Sequence, residues 1–356
     1  MIIKSILTEH ELFCDPLINS DKMKRSAKEW EKIIKKSNIE ESISNYFNRN
    51  PNEFLNLLKD GPPPKYRWVA WKTVLQINSL LSKNTYQSLI SSSRRSEAKW
   101  AKSIEADIHR TFPDKLAKLE PNVKELIIQK LENVLIAISL YCPEIGYCQG
   151  INYVVGFMLF VSDLKDEEVF WTFIALVKNK LEHDALKISG IEGLYSERFP
   201  KLEFLLRCFS MAFTQEEPLL KQQFDTIEFA NIIWVHKWMF VMFLLSFKLC
   251  YCLRFWDYIF GEGISGMIKL SLAIVKVTKE KYEGKTFTGC NDVMNSFKEG
   301  KNLPDVEEII DVADSIKLSE DVIPNEEGEM LGIGSEMEEA KAQSTYNFKA
   351  TKFILV

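Results

Sequence analysis

The chain has 356 residues, and 45 Lys+Arg against 50 Asp+Glu leave it at a formal charge of −5 with histidine neutral. That length can bury a large core, and 46% apolar with 27% charged residues, 15 Gly and 12 Pro exclude collagenous, disordered and mucin-like chains. The acidic balance argues against a protein whose task is to neutralise phosphate backbones, so nucleic acid is not expected as a partner.

The first residues, MIIKSILTEHELFCDP, carry an apolar stretch that Thr8, Glu9 and His10 break too early for a signal-peptide core. Up to about residue 60 the chain is charged and helix-patterned, with Trp30, Ile33 and Ile34 at i, i+3, i+4. Gly61-Pro62-Pro63-Pro64 then ends a helix, because proline lacks an amide and disfavours helix before it. A new unit is expected there, giving an N-terminal helical extension over 1–56 and a main domain over 57–312.

Inside that domain Trp68, Trp71 and Leu75, followed by Ile77, Leu80 and Leu81, keep an apolar stripe of helical period. Ile127, Leu131, Val134, Leu135 and Ile138 form a second stripe between Val123 and Tyr141, closed by Pro143. Residues Ile151 to Val161 are apolar on all sides, which predicts a helix in the middle of the core. Asp166, Glu167 and Glu168 put negative charge where the next helix starts, as the helix dipole favours.

From Trp238 to Trp256, 16 of 19 residues are apolar, but Lys248 and Arg254 interrupt them. The ten residues from Trp238 to Phe247 make about 15 Å of helix against a hydrocarbon core of about 30 Å, so a helix or helix pair buried in protein is expected, not a membrane span. Residues 305 to 340 hold 13 Asp+Glu against one lysine. Val306, Ile309, Ile310 and Ala313 keep helical spacing there, while the chain from about 320 onward reads as a solvated tail, and 313–356 is taken as an acidic, disordered segment. Strand alternation is scarce throughout, and an all-α protein is expected.

Seven cysteines (Cys14, Cys142, Cys148, Cys208, Cys250, Cys252, Cys290) are odd in number and scattered, which suits a reducing compartment. Neither they nor His10, His109, His183 and His236 stand at zinc-ligand spacing, so no metal is expected. Gly261-x-Gly263-x-x-Gly266 has the spacing of a dinucleotide loop, but a helical pattern precedes it where that loop needs a strand.

Two short segments are better explained by chemistry than by packing. In Ile104-Glu105-Ala106-Asp107-Ile108-His109-Arg110, a helix makes Asp107 and Arg110 neighbours, so the carboxylate can orient the guanidinium, and Pro113 puts Arg110 near a helix end. In Tyr147-Cys148-Gln149-Gly150-Ile151-Asn152, a polar run lies between two strongly apolar helices. Gly146 and Gly150 permit close backbone approach or positive φ, and the Gln149 amide has the acceptor and donors needed to orient a water. Taken singly, the first could be a surface ion pair and the second a capped helix–helix turn.

Together they resemble one family. Arg67-x-x-x-Trp71, Ile104-x-x-Asp107-x-x-Arg110 and Tyr147-x-Gln149-Gly150-x-Asn152, in that order, are similar to the TBC-domain proteins, activators of Rab-type small GTPases. The likeness continues through Asp166-Glu167-Glu168-x-Phe170-Trp171, Gly193-Leu194-Tyr195, Phe255-Trp256-Asp257 and Gly261-Glu262-Gly263, and covers about residues 57 to 310. It implies an all-α TBC-type domain of two helical halves that activates a GTPase in trans and is not itself an enzyme. Arg110 matches the family's arginine finger and Gln149 its glutamine finger. Asp107, Tyr147, Gly150 and Asn152 would support them, while Arg67, Trp71, Trp256 and Asp257 would be scaffold. The partner, a Rab-family GTPase in its GTP form, would carry GTP and Mg2+, so no cofactor is expected on this chain. The resemblance implies a cytoplasmic regulator of vesicle trafficking, reaching endomembranes only through its partner. A catalytically inactive Rab-binding scaffold on the same fold is the alternative left open. The aromatic stretch from Trp238 to Arg254 lacks the proline often found in the family before its Trp-Asp element.

Overall fold

A computed structural model of the chain describes residues 21–34, 38–95, 97–178, 190–319 and 322. The expectations resting on His10, Cys14, His183, the first sixteen residues and the acidic tail from residue 323 onward lie outside the described residues. Among the described residues regular structure is entirely helical, eighteen α-helices joined by turns and short 3-10 segments.

The first three helices among the described residues are α1 (Asp21–Ile33), α2 (Ile39–Arg49) and α3 (Pro51–Lys59). After the proline break come α4 (Pro64–Val74), the short α5 (Thr85–Leu89) and α6 (Ser92–Arg95), α7 (Ala101–Ile108) and α8 (Pro113–Leu116). The long α9 (Pro121–Tyr141), α10 (Ile151–Val161) and α11 (Asp166–Lys178) complete a first group. A second group holds α12 (Pro200–Glu216), α13 (Pro218–Thr226), α14 (Val235–Phe240), α15 (Leu249–Glu262), α16 (Ser265–Val277), α17 (Phe287–Ser296) and α18 (Val306–Ser315).

Proline sits in the first turn of α3, α4, α8, α9, α12 and α13, where its missing amide costs no helical bond. In the first group α9 packs against α5, α7, α10 and α11, and in the second α16 packs against α12, α15 and α18. Helix α4 joins them, since the Trp71 ring lies 6.3 Å from Phe157 of α10 and 5.5 Å from Trp256 of α15, centroid to centroid. The opening helices share this core: Trp30, Phe54 and Leu58 are fully buried, and α3 packs along α15. The expected division at residue 57 thus falls inside α3, and the one at residue 313 inside α18.

Close crossing of α3 over α15 also explains the glycine-rich decoy. Gly261 faces α3 so closely that a Cβ there would stand 2.6 Å from the Leu55 carbonyl oxygen. Gly263 (φ 89°) lets the chain leave α15, and helices flank it on both sides, so the glycines serve helix packing and helix termination. The apolar run from Trp238 to Trp256 is buried as expected, but it turns between α14 and α15. Met242 and Phe243 take left-handed backbone (φ 48° and 70°), and the Met242 carbonyl accepts from Trp256 Nε1 at 3.0 Å. No described helix is long and apolar enough to cross a membrane.

A buried charge cluster ties the ends of the fold together. Asp257 accepts from Arg67 Nε through both carboxylate oxygens (3.1 Å each), from Trp71 Nε1 (2.9 Å) and from Arg254 Nη1 (3.3 Å). Arg254, which the sequence presents as an interruption of an apolar run, also donates to Glu307 of α18 through Nε (2.6 Å) and Nη2 (3.1 Å), and to the Lys59 carbonyl of α3 (3.0 Å). Burial pushes the Asp257 carboxyl above its ordinary value, while the guanidinium groups of Arg67 and Arg254 pull the other way.

Candidate functional site

Helix α7 stops at Ile108 with His109 as its C-cap, so Arg110 lies in the turn that follows. Phe112 takes left-handed backbone (φ 49°) ahead of Pro113, which opens α8 and disfavours a helical residue before it. The Arg110 side chain is 58% exposed, whereas that of Asp107 is 6% exposed. Arg110 Nε donates to Asp107 Oδ1 at 2.9 Å, and Nη2 reaches the same oxygen. The bond to Asp107 raises the Arg110 pKa further, so the group is a permanent cation. Nη1 makes no hydrogen bond among the described residues, and the side chain that carries it is largely exposed.

The second segment follows the C-terminus of α9. Gly146 (φ 59°) lies against the Trp100 indole, where a Cβ would meet Nε1 at 2.2 Å, and Gly150 (φ 118°) lies against the Phe240 ring, where a Cβ would meet Cε1 at 2.7 Å. No other residue fits either position without displacing an aromatic ring. Gly150 is the residue before α10, and its N–H donates to Asn152 Oδ1 at 2.9 Å. Gln149 is half-buried in the turn between, and its side-chain amide makes no hydrogen bond among the described residues.

Three hydrogen bonds staple the two segments together. Tyr147 Oη donates to Asp107 Oδ2 at 2.6 Å, Asn152 Nδ2 donates to Thr111 Oγ1 at 2.7 Å, and Tyr153 Oη donates to the Arg110 carbonyl at 3.2 Å. Burial, reinforced by the bond to Asp107, pushes the Tyr147 phenol upward, so it stays a donor and holds the carboxylate that holds Arg110. Burial also pushes the Cys148 thiol up to about 11, which makes it a packed thiol and not a nucleophile at neutral pH. His109 is exposed beside Arg110. Among the described residues no cluster of His, Cys, Asp and Glu could hold a metal.

Six of the residues singled out in the sequence, Asp107, Arg110, Tyr147, Gln149, Gly150 and Asn152, therefore lie on two segments bonded to each other, Asp107 in the last turn of α7, Asn152 in the first turn of α10, and the other four in the turns beside them. Of the other four, Arg67, Trp71 and Asp257 lie in the buried charge cluster, and Trp256 packs on Trp71. The Phe157 ring of α10, the helix that Gly150 precedes, stands 4.9 Å from Trp256. Sequence reasoning missed Thr111, Tyr153, Trp100 and Phe240. Thr111 and Tyr153 stand next to motif residues and could have been found by adjacency, whereas nothing in a sequence pairs Trp100 with Gly146 or Phe240 with Gly150.

The chain is 28% identical over 251 residues to TBC1 domain family member 2B of Xenopus tropicalis, covering 69% of this chain and 25% of that protein. It is 28% identical over 255 residues to growth hormone-regulated TBC protein 1-A of Danio rerio, covering 70% of this chain and 62% of that one. The matched region thus spans about a quarter of the first relative's length and less than two thirds of the second's. Among solved structures, the Chlamydomonas flagellar RabGAP TBC domain superposes with a TM-score of 0.62 at 23% identity, covering 76% of this chain and 87% of that one. The Ypt/Rab-GAP domain of Gyp1p does so with 0.58 at 17%, covering 78% and 97%. Both show the same all-α fold. The family model of the Rab-GTPase-TBC domain matches residues 64–282, which take in the arginine turn, the glutamine turn and most of the buried charge cluster, and the chain belongs to that family.

Proposed function

We propose that this chain stimulates GTP hydrolysis by a Rab-type small GTPase, contributing Arg110 and Gln149 in trans to a nucleotide that the GTPase carries. Hydrolysis of a γ-phosphate needs charge neutralisation around the transferring group and one positioned water, with little covalent work for the protein. The Nη1 face of Arg110 supplies the first, as a rigid fork suited to phosphate oxygens. The free amide of Gln149 supplies the second, with one acceptor and two donors for the attacking water.

The observation that carries this reading is the double staple. Two segments whose key residues stand 39 apart in sequence are locked to each other by buried bonds, Tyr147 to Asp107 and Asn152 to Thr111, while the exposed Arg110 and the half-buried Gln149 keep free hydrogen-bonding capacity. GTP and Mg2+ belong to the partner in this scheme. Membrane recruitment, where it occurs, would run through that partner.

Phosphate release from a panel of GTP-loaded Rab-type GTPases tests the proposal. Arg110→Ala is expected to lower the stimulated rate by about 10³ to 10⁵, the range of an arginine finger. Gln149→Ala is expected to lower it by about 10² to 10³, the range for loss of one preorganised donor. Stimulation that survives both substitutions would overturn the assignment, and binding without stimulation by the native chain would leave it a scaffold.

A further inference from the structure

We infer that Thr111 is a positioning residue that couples the orientation of the arginine turn to that of the glutamine turn. The inference deepens the GTPase-activating reading and rests on it.

The Thr111 hydroxyl lies in an unbroken hydrogen-bond chain between the two finger-bearing backbones. It donates to the Asp107 carbonyl at 2.9 Å, the carbonyl that also accepts the Arg110 N–H at 3.2 Å. It accepts from Asn152 Nδ2 at 2.7 Å, and the other end of that amide, Oδ1, accepts the Gly150 N–H at 2.9 Å. The Gly150 N–H belongs to the peptide unit that Gln149 itself contributes. Thr111 and Asn152 are both buried, 2% and 1% exposed, so no water can stand in for either partner without a rearrangement.

A chain of this kind fixes direction as well as distance. A side-chain amide has one donor end and one acceptor end. With Nδ2 held by Thr111, Asn152 must present Oδ1 to Gly150, and the peptide plane after Gln149 is fixed. Gly150 needs that hold, because its φ of 118° belongs to a region where backbone alone specifies little for glycine. Without the hydroxyl, the Asn152 amide has no acceptor on the arginine side and the two turns lose their mutual reference. The Thr111 methyl has a separate task. Its Cγ2 packs on α10, 3.2 Å from where a Cβ on Gly156 would stand. Hydroxyl and methyl can therefore be removed one at a time.

Thr111→Val keeps the methyl and removes the hydroxyl, and Thr111→Ser does the reverse. Each is assayed in steady-state hydrolysis with the GTP-loaded Rab-type GTPase that the native chain stimulates most strongly, alongside Arg110→Ala, Gln149→Ala and the double variant Thr111→Val/Gln149→Ala. Thr111→Val is expected to lower kcat at least tenfold with KM for the GTPase unchanged within twofold. Thr111→Ser should keep at least a third of native kcat. The double variant should be no slower than Gln149→Ala alone, because a residue that acts by aiming Gln149 has nothing left to aim. Thr111→Ala, which removes hydroxyl and methyl together, is measured in parallel as a control for packing, and Thr111→Val, with a native circular dichroism spectrum at the assay temperature, must show the loss. Native kcat in that variant, a raised KM with native kcat, or an equal multiplicative loss on the Gln149→Ala background would each overturn the role of Thr111. Native activity in Gln149→Ala would instead remove the two-finger reading, and this inference with it.

Discussion

Two arginine–aspartate pairs at a spacing of three residues occupy opposite extremes of this molecule. In the turn after α7, Asp107 is buried and Arg110 is 58% exposed, with the carboxylate using only Nε and Nη2 of the guanidinium. In α15, Arg254 and Asp257 are both buried, and Arg254 gives its donors to Glu307, Asp257 and the Lys59 carbonyl. An Arg fork bound on every side is a strut, whereas one bound on a single edge is aimed and still has donors for a visitor. Spacing alone does not separate the two uses, and what remains unbonded does.

Methionine at each arginine breaks the comparison most sharply. Arg254→Met leaves Glu307 and part of the Asp257 charge uncompensated in the interior, expected to cost about 3–5 kcal/mol, or ~6–10 °C in melting midpoint at ~2 °C per kcal/mol for a large domain. Arg110→Met removes an exposed partner from an aspartate that Tyr147 still holds, and should cost no more than about 1 kcal/mol. The activity ranking is reversed: the folded fraction of Arg254→Met should keep its stimulation of GTP hydrolysis well below its melting point, and Arg110→Met should lose it. Equal melting midpoints for the two variants would contradict the division into strut and finger.

His236 of α14 adds a third type, a buried ionisable group with no charged partner. Its Nδ1 is held by the Ile232 carbonyl, Nε2 has no partner among the described residues, and burial lowers its pKa from 6.5 to about 4. The unfolded chain therefore takes up a proton below pH 6.5 that the folded chain refuses until about pH 4, so stability falls as pH drops through that window. A shift of this size corresponds to about 3 kcal/mol at the acid end. Urea unfolding between pH 4 and 7 should show this loss in the native chain and not in His236→Phe, and an imidazole that titrates above pH 6 in the folded protein would defeat the account.

These contrasts also mark what was legible in the sequence. Helical period and proline placement foretell α4, α9, α10 and α11, because core helices are specified by local pattern. The turn at Met242 and Phe243 was not legible, since left-handed backbone at two apolar residues is imposed by packing around Trp256 and not by local preference. The Asp107–Arg110 bond is local and readable, whereas the partners of Arg254 lie 195 residues upstream and 53 downstream. In sequence Arg254 is an interruption of an apolar run, and only its burial shows that it has partners elsewhere in the chain. Asn152 and Gly150 were readable as turn formers, yet the Thr111 hydroxyl that holds them becomes visible only when the two turns meet.

Tyr147→Phe sharpens the comparison at its finest grain, because it leaves both arginines intact and removes one hydroxyl. The phenol, kept protonated by burial, donates to Asp107 Oδ2 while Arg110 occupies Oδ1, so the carboxylate is pinned at both oxygens. Asp257 has a similar hold from the Trp71 indole, but there two guanidinium groups would keep its carboxylate in place if the indole were lost. Asp107 has no such reserve, and without the phenol it can rotate about χ2 and carry the Arg110 fork with it. The expected stability loss is about 1.5–3 kcal/mol, that of a bond to a charged group. Stimulated hydrolysis should fall a few-fold in kcat with KM unchanged, and the fall should vanish on an Arg110→Ala background. A few-fold loss that persists there would mean that Tyr147 acts on Gln149 directly, through the turn they share, and not through the carboxylate.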